Sequence, residues 1–234
     1  MFHNQELLMK KASIILTLLA VGSAVLHIWA EYHALRMQIY VFKPLTMVFI
    51  LLIAILKTKE SPAFYAFAII AGLVCSIAGD IFLMLPSDQF VPGLISFLIA
   101  HLFYIAAFTY GRKIRPAPWL LIPFVLYGIL IYSILFPYLG VMKLPVAVNI
   151  VVILVMGWRA WERWSQTAER TALLAFLGAV LFIISDSVLA LNRFREPFLV
   201  ARALTLSTYF AAQWLIAFSI STTSESKKRG QEQT

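Results

Sequence analysis

Eight runs of apolar residues, at about 12–30, 41–56, 62–85, 91–110, 117–136, 141–157, 172–191 and 199–221, occupy most of this 234-residue chain. Each approaches the roughly 20 residues a helix needs to cross the hydrocarbon core of a bilayer. Lipid offers the backbone no hydrogen bonds, so long apolar runs of this kind must satisfy their own and are expected to be helices. Polar segments divide them: KTKESP at 57–62, PSDQ at 86–89, GRKIRPAP at 111–118, WRAWERWSQTAER at 158–170 and NRFREP at 192–197. The break at 137–143 is the weakest. The pattern predicts an all-α, polytopic membrane helix bundle of eight transmembrane helices forming a single integral membrane domain over residues 1–234. Lys10 and Lys11 give the first run the look of a secretory signal, but with seven further spans behind it an uncleaved helix is expected.

Composition excludes the soluble classes. The chain is 62% hydrophobic and 13% charged, against about 45–50% and about 25% in soluble domains. The net charge of +8 would suit a nucleic acid, but the basic residues stand in short clusters between spans, where they read as topology signals. No nucleic-acid partner is expected. Thirteen of the 19 Lys and Arg fall on the side of the N-terminus, which predicts both termini in the cytoplasm and a multi-pass protein of the bacterial cytoplasmic (inner) membrane. Cys75 is the single cysteine, so no disulfide forms within the chain.

Ionisable side chains inside spans are costly, usually face a bundle interior, and mark candidate functional sites. Asp80 in the third run and Asp186 in the seventh each lie about five residues before the same end of their spans. Lys43 opens the second run, Asn149 lies early in the sixth, and His101 and Tyr104 share a face of the fourth. Thr205, Tyr209 and Gln213 form an i, i+4, i+8 stripe down the eighth, as Gly72, Ser76 and Asp80 do down the third. Glu31, Tyr32, Asn192 and Arg193 lie at the same end. These groups predict a pocket in the non-cytoplasmic half. Trp158, Trp161 and Trp164 read as an aromatic belt on the other side.

A weak repeat joins the two acids. Gly72 and Asp80 recur as Gly178 and Asp186, each 106 residues later, and Tyr104-Ile-Ala-Ala resembles Tyr209-Phe-Ala-Ala at an offset of 105. A possible 4+4 parallel internal repeat follows, which would set the aspartates at equivalent depths. The alternative is chance similarity among apolar segments.

Two carboxyls close together in a poorly solvated pocket cannot both ionise easily, which supplies an acid and a base. Such a pair suits reactions that pass through an oxocarbenium-like cation. No cofactor or metal is expected: the sequence holds no HExxH, GxSxG, P-loop or GxGxxG motif. The segments Ala78-Gly79-Asp80-Ile-Phe-Leu-Met84, Ala100-His101-Leu-Phe-Tyr104-Ile-Ala-Ala-Phe108, Gly178 to Ala190 and Tyr209-Phe-Ala-Ala-Gln213, with Lys43-Pro44, resemble the YhhN-like lysoplasmalogenase family over nearly the whole chain. That resemblance implies an integral membrane hydrolase that takes a lysophospholipid from membrane lipid. It would cleave the vinyl ether bond of a lysoplasmalogen to a fatty aldehyde and glycerophosphoethanolamine or glycerophosphocholine. The candidate catalytic residues are then Asp80, Asp186 and His101. Lys43, Tyr104, Asn149, Asn192, Tyr209 and Gln213 are candidates for substrate binding, with Lys43 toward the phosphate and Tyr40 or Trp214 toward an ammonium. A small proton-coupled transporter and a lipid-binding protein with structural aspartates remain the alternatives.

Overall fold

The structure, a computed structural model, describes residues 2–111 and 116–220. Eight α-helices follow in order: α1 Phe2–Tyr32, α2 Arg36–Leu56, α3 Ala63–Met84, α4 Phe90–Thr109, α5 Ile122–Leu135, α6 Lys143–Thr167, α7 Arg170–Ala190 and α8 Ala201–Phe218. No strand occurs among the described residues. Seven segments, those built on α1 to α7, are long and apolar enough to cross a membrane; the 18-residue α8, which carries Arg202, Thr205, Thr208 and Gln213, is not among them. Ser221, the last residue of the eighth run, lies outside the described residues, as do Arg112, Lys113, Arg115, Lys227, Lys228 and Arg229, which entered the charge count.

Packing runs from α2 to α3, α3 to α4, α4 to α6, α6 to α7, α7 to α8 and back from α8 to α2, a closed ring of six helices. α1 lies over α2 and α8, and α5 lies over α6. One apolar cluster runs through α1, α2, α3, α4, α6, α7 and α8. The outward faces carry exposed Leu18, Leu126, Val151 and other large apolar side chains, which water would not tolerate at this density and lipid covers without cost.

Small residues set the closest approaches. A Cβ at Gly72 would overlap the ring of Tyr104 on α4, and one at Gly178 would stand 2.7 Å from Ile216 Cγ1 and 3.0 Å from the Ala212 carbonyl on α8. Backbone cannot give way as a side-chain tip can. Gly178→Ala is therefore expected to destabilise the protein by about 1–3 kcal/mol, read as a lowered thermal midpoint in detergent.

Two expected boundaries differ. Most of the polar stretch 158–170 is helical: α6 runs on to Thr167 and the break narrows to Ala168, whose φ of 51° is left-handed, and Glu169. Its charges are satisfied locally, because Arg159 pairs with Glu162 three residues on, and the buried Glu162 carboxylate accepts the Ala117 backbone N–H. Trp161 and Trp164 stack on Phe176 of α7 as packing residues rather than as a free belt. The seventh run likewise passes its predicted end, since α7 continues through Leu191–Arg195 as a π-helical turn. The weak break at 137–143 is two short 3₁₀ turns, Phe136–Tyr138 and Gly140–Met142, joined where Gly140 adopts a φ of 50°.

Candidate active site

Asp80 sits four residues before the end of α3 and is 1% exposed. A carboxylate at that depth requires partners. Lys43 Nζ of α2 stands 3.0 Å from its Oδ1, and the Tyr209 hydroxyl of α8 donates to its Oδ2 over 2.6 Å. Both are charge-assisted contacts, and together they tie three helices at one point. Lys43 precedes Pro44, which cannot donate to the Tyr40 carbonyl, so the α2 ladder is interrupted beside the site.

One turn further along α8, Gln213 is wholly buried and its Oε1 accepts the Tyr104 hydroxyl at 2.7 Å. Gly72 makes the room in which Tyr104 lies. Ser76 Oγ and Gln213 Nε2 are buried with no hydrogen-bond partner among the described residues. Thr205, which completes the polar stripe of α8, accepts the Ser185 hydroxyl at its carbonyl over 3.0 Å.

Asp186 of α7 is half-buried. The amide of Asn149 on α6 lies beside it, and the charge on Asp80 reaches it. One turn back on α7, Phe182 meets Tyr209 edge-on at 5.5 Å and His101 at 4.7 Å. His101 is fully buried, and neither ring nitrogen has a hydrogen-bond partner among the described residues. Lys43, Asp80 and Tyr209 are thus in direct contact, Asp186 and Asn149 adjoin them, and His101 stands apart against an aromatic ring.

Above this group opens a cavity of about 710 Å³. Lys43, Leu83, Leu189 and Leu206 form its deeper wall; Leu83 and Leu189 each follow an aspartate by three residues, on the same helical face. Its rim carries Arg36, Tyr40, Arg193 and Arg202 with Glu31 and Asp88. Arg193 binds both oxygens of Asp88 at 2.8 Å, and Arg202 binds Glu31 at 2.9 Å. These pairs, with the Tyr32 hydroxyl on the Leu199 carbonyl, join the α1–α2, α3–α4 and α7–α8 connections at one end of the bundle. Asn192 lines the cavity while its Oδ1 accepts the Phe198 N–H, fixing the turn after α7. Trp214 lies elsewhere: its Nε1 donates to Thr17 of α1.

Sequence reading passed over His27. It is wholly buried on α1, with Nε2 3.9 Å from Glu31 Oε1, and lies within reach of the charge on Lys43. The signal was present, because Ser23, His27 and Glu31 follow the same i, i+4, i+8 spacing that marked α3 and α8, and Ser23 is hydrogen-bonded to Thr46 of α2.

A ring of apolar helices that encloses ionisable and hydrogen-bonded side chains beside a cavity defines a polytopic membrane protein with a buried polar site. Residues 38–220 match the model of the YhhN family, and the chain belongs to that family, as its motifs had suggested. It is 32% identical over 203 residues to the Uncharacterized membrane protein YhhN of Escherichia coli O6:H1, covering 85% of this chain and 94% of that one. It is 40% identical over 163 residues to Lysoplasmalogenase TMEM86A of Homo sapiens, 64% of each chain, and 35% identical over 158 residues to Lysoplasmalogenase TMEM86B of Homo sapiens, 63% of this chain and 61% of that one. The match therefore spans less than two thirds of either human relative. No solved structure matches the chain.

Proposed function

We propose that this protein hydrolyses the vinyl ether bond of a lysoplasmalogen. The observation that carries the reading is the pair of aspartates on α3 and α7, each one turn from a leucine that lines the same cavity, in a family whose named relatives include lysoplasmalogenases. Cleavage begins with a proton delivered from one carboxylic acid to the vinyl carbon, which leaves an oxocarbenium ion at the ether carbon. The second carboxylate steers a water onto that cation and accepts its proton. The hemiacetal then collapses to fatty aldehyde and glycerol alcohol, and the two carboxyl groups return to their starting states.

The rim suits a zwitterionic headgroup. Arg36, Arg193 and Arg202 offer donors to a phosphate, while Glu31, Asp88 and the ring of Tyr40 face an ammonium. Lys43, which the sequence suggested for the phosphate, serves Asp80 in this arrangement. The alkenyl chain would lie along Leu83, Leu189 and Leu206, entering laterally from the bilayer. The positive-inside bias of the sequence favours the non-cytoplasmic side for this end of the bundle.

Purified protein is expected to release aldehyde from lysoplasmenylethanolamine and not from its saturated ether analogue, which forms no oxocarbenium ion on protonation. Proteoliposomes that move a solute down or against a proton gradient without cleaving the lipid would replace this reading with transport.

A further inference from the structure

The helix ring repeats itself. Moving 106 residues along the chain carries α2 to α6 and α3 to α7, and the neighbour relations follow: α2 on α3 becomes α6 on α7, and α4 on α6 becomes α8 on α2. The buried faces coincide as well. Met47, Ile50 and Ala54 of α2 are buried, and so are Ile153, Met156 and Ala160 at the corresponding places of α6. Asp80 maps on Asp186, and Leu83 and Leu189, both lining the cavity, map on each other. The same offset carries Lys43 to Asn149. Each aspartate therefore meets the matching residue of the preceding ring helix, which is a cation in one half and a neutral amide in the other.

We propose that the site is a duplicated carboxylate half-site whose two copies divided the labour at that one matched position. Asp186, beside Asn149, is the acid that protonates the vinyl carbon, and Asp80, held by Lys43, is the anion that receives the water proton. Asn149 is the positioning residue that leaves Asp186 without a cation. An ammonium 3.0 Å from Asp80 Oδ1 and the Tyr209 hydroxyl on Oδ2 engage both oxygens of that carboxylate. Asn149 offers no charge at the matching place, and Asp186 forms no ion pair among the described residues. The remaining titratable groups around the pair are His101 and Tyr104 on α4, Tyr209 on α8, Tyr127 on α5 and His27 on α1, none of which supplies a second cation against Asp186. The proton balance closes. Asp186 gives its hydrogen to carbon and Asp80 takes one from water. During hemiacetal collapse Asp186 recovers the hydroxyl proton while Asp80 returns its own to the departing glyceryl oxygen.

This assignment rests on the vinyl ether reading for its chemistry, but the position of the proton can be measured without turnover. Infrared difference spectroscopy of the purified protein at neutral pH is expected to show the C=O band of a protonated carboxylic acid, lost in Asp186→Asn and kept in Asp80→Asn. Asp186→Glu, which preserves the acid, should shift the band. A band lost with Asp80→Asn, or none in the wild type, overturns the assignment. In the aldehyde assay, Asn149→Lys is expected to move the alkaline limb of the kcat profile to lower pH by about one unit or more, and Lys43→Gln to move the acidic limb to higher pH. Asn149→Gln, which adds no charge, should leave both limbs in place. Movement of the acidic limb by Asn149→Lys reverses the roles and refutes the proposal. Wild-type protein that releases no aldehyde but shows the Asp186 band removes the function while leaving the division between the carboxyls intact.

Discussion

Asp80→Asn and Asp186→Asn are each expected to reduce aldehyde release from lysoplasmenylethanolamine by at least about 10²-fold, the lower end of what a positioned general acid or base contributes. The amide keeps the volume and much of the hydrogen bonding of the carboxyl, so the loss isolates proton transfer and charge. The two variants should differ in how the loss is carried. Asp186→Asn removes a neutral acid beside a neutral amide, so its kcat should fall with little change in thermal midpoint. Asp80→Asn also strands Lys43, which is 9% exposed, and should lower both activity and stability. Turnover near the wild-type rate in either variant, with a normal elution profile in detergent, would remove that residue from the reaction.

Much of this site was legible because polar side chains are rare in lipid-facing sequence, so those inside the spans stand out by position alone. Asp80, Asp186, Lys43, Tyr209 and Gln213 were visible in that way, and so was the 106-residue spacing. What could not be read was the partner of each, since a contact such as Lys43 with Asp80 depends on the packing of α2 against α3 and not on spacing within either. The rim was legible only in part. Glu31, Asn192 and Arg193 stood at the right end of their spans, but Arg36 and Arg202 lie beside connections, where a basic residue reads equally well as a topology signal, and only the fold gathers three connections around one cavity. The 158–170 stretch was read as a division from its charges alone, whereas most of it continues α6, with Glu162 buried by bonds to Arg159 and to a backbone amide far along the chain. His101 shows the converse limit: polarity in a span made it a candidate, but its ring packs edge-on to Phe182 and its nitrogens have no hydrogen-bond partner among the described residues.

Lys43→Met is expected to destabilise the protein by about 3 kcal/mol, the range for breaking a buried ion pair from one side, and to abolish most activity. The cost arises from the carboxylate left behind more than from the bond that is lost. It follows that Lys43→Met combined with Asp80→Val should recover most of the stability, because two apolar side chains replace two desolvated charges. Recovery should stop short of the wild type by about 1–3 kcal/mol, the penalty of an unsatisfied buried hydroxyl at Tyr209, which donates to Asp80 in the native site. Adding Tyr209→Phe should then return that remainder. Throughout the series activity should stay lost, so thermal midpoint and aldehyde release separate as the substitutions accumulate. A triple variant no more stable than Lys43→Met would show that the stranded carboxylate and hydroxyl are not the source of the loss, and that the native contacts of Lys43, Asp80 and Tyr209 themselves stabilise the α2, α3 and α8 junction.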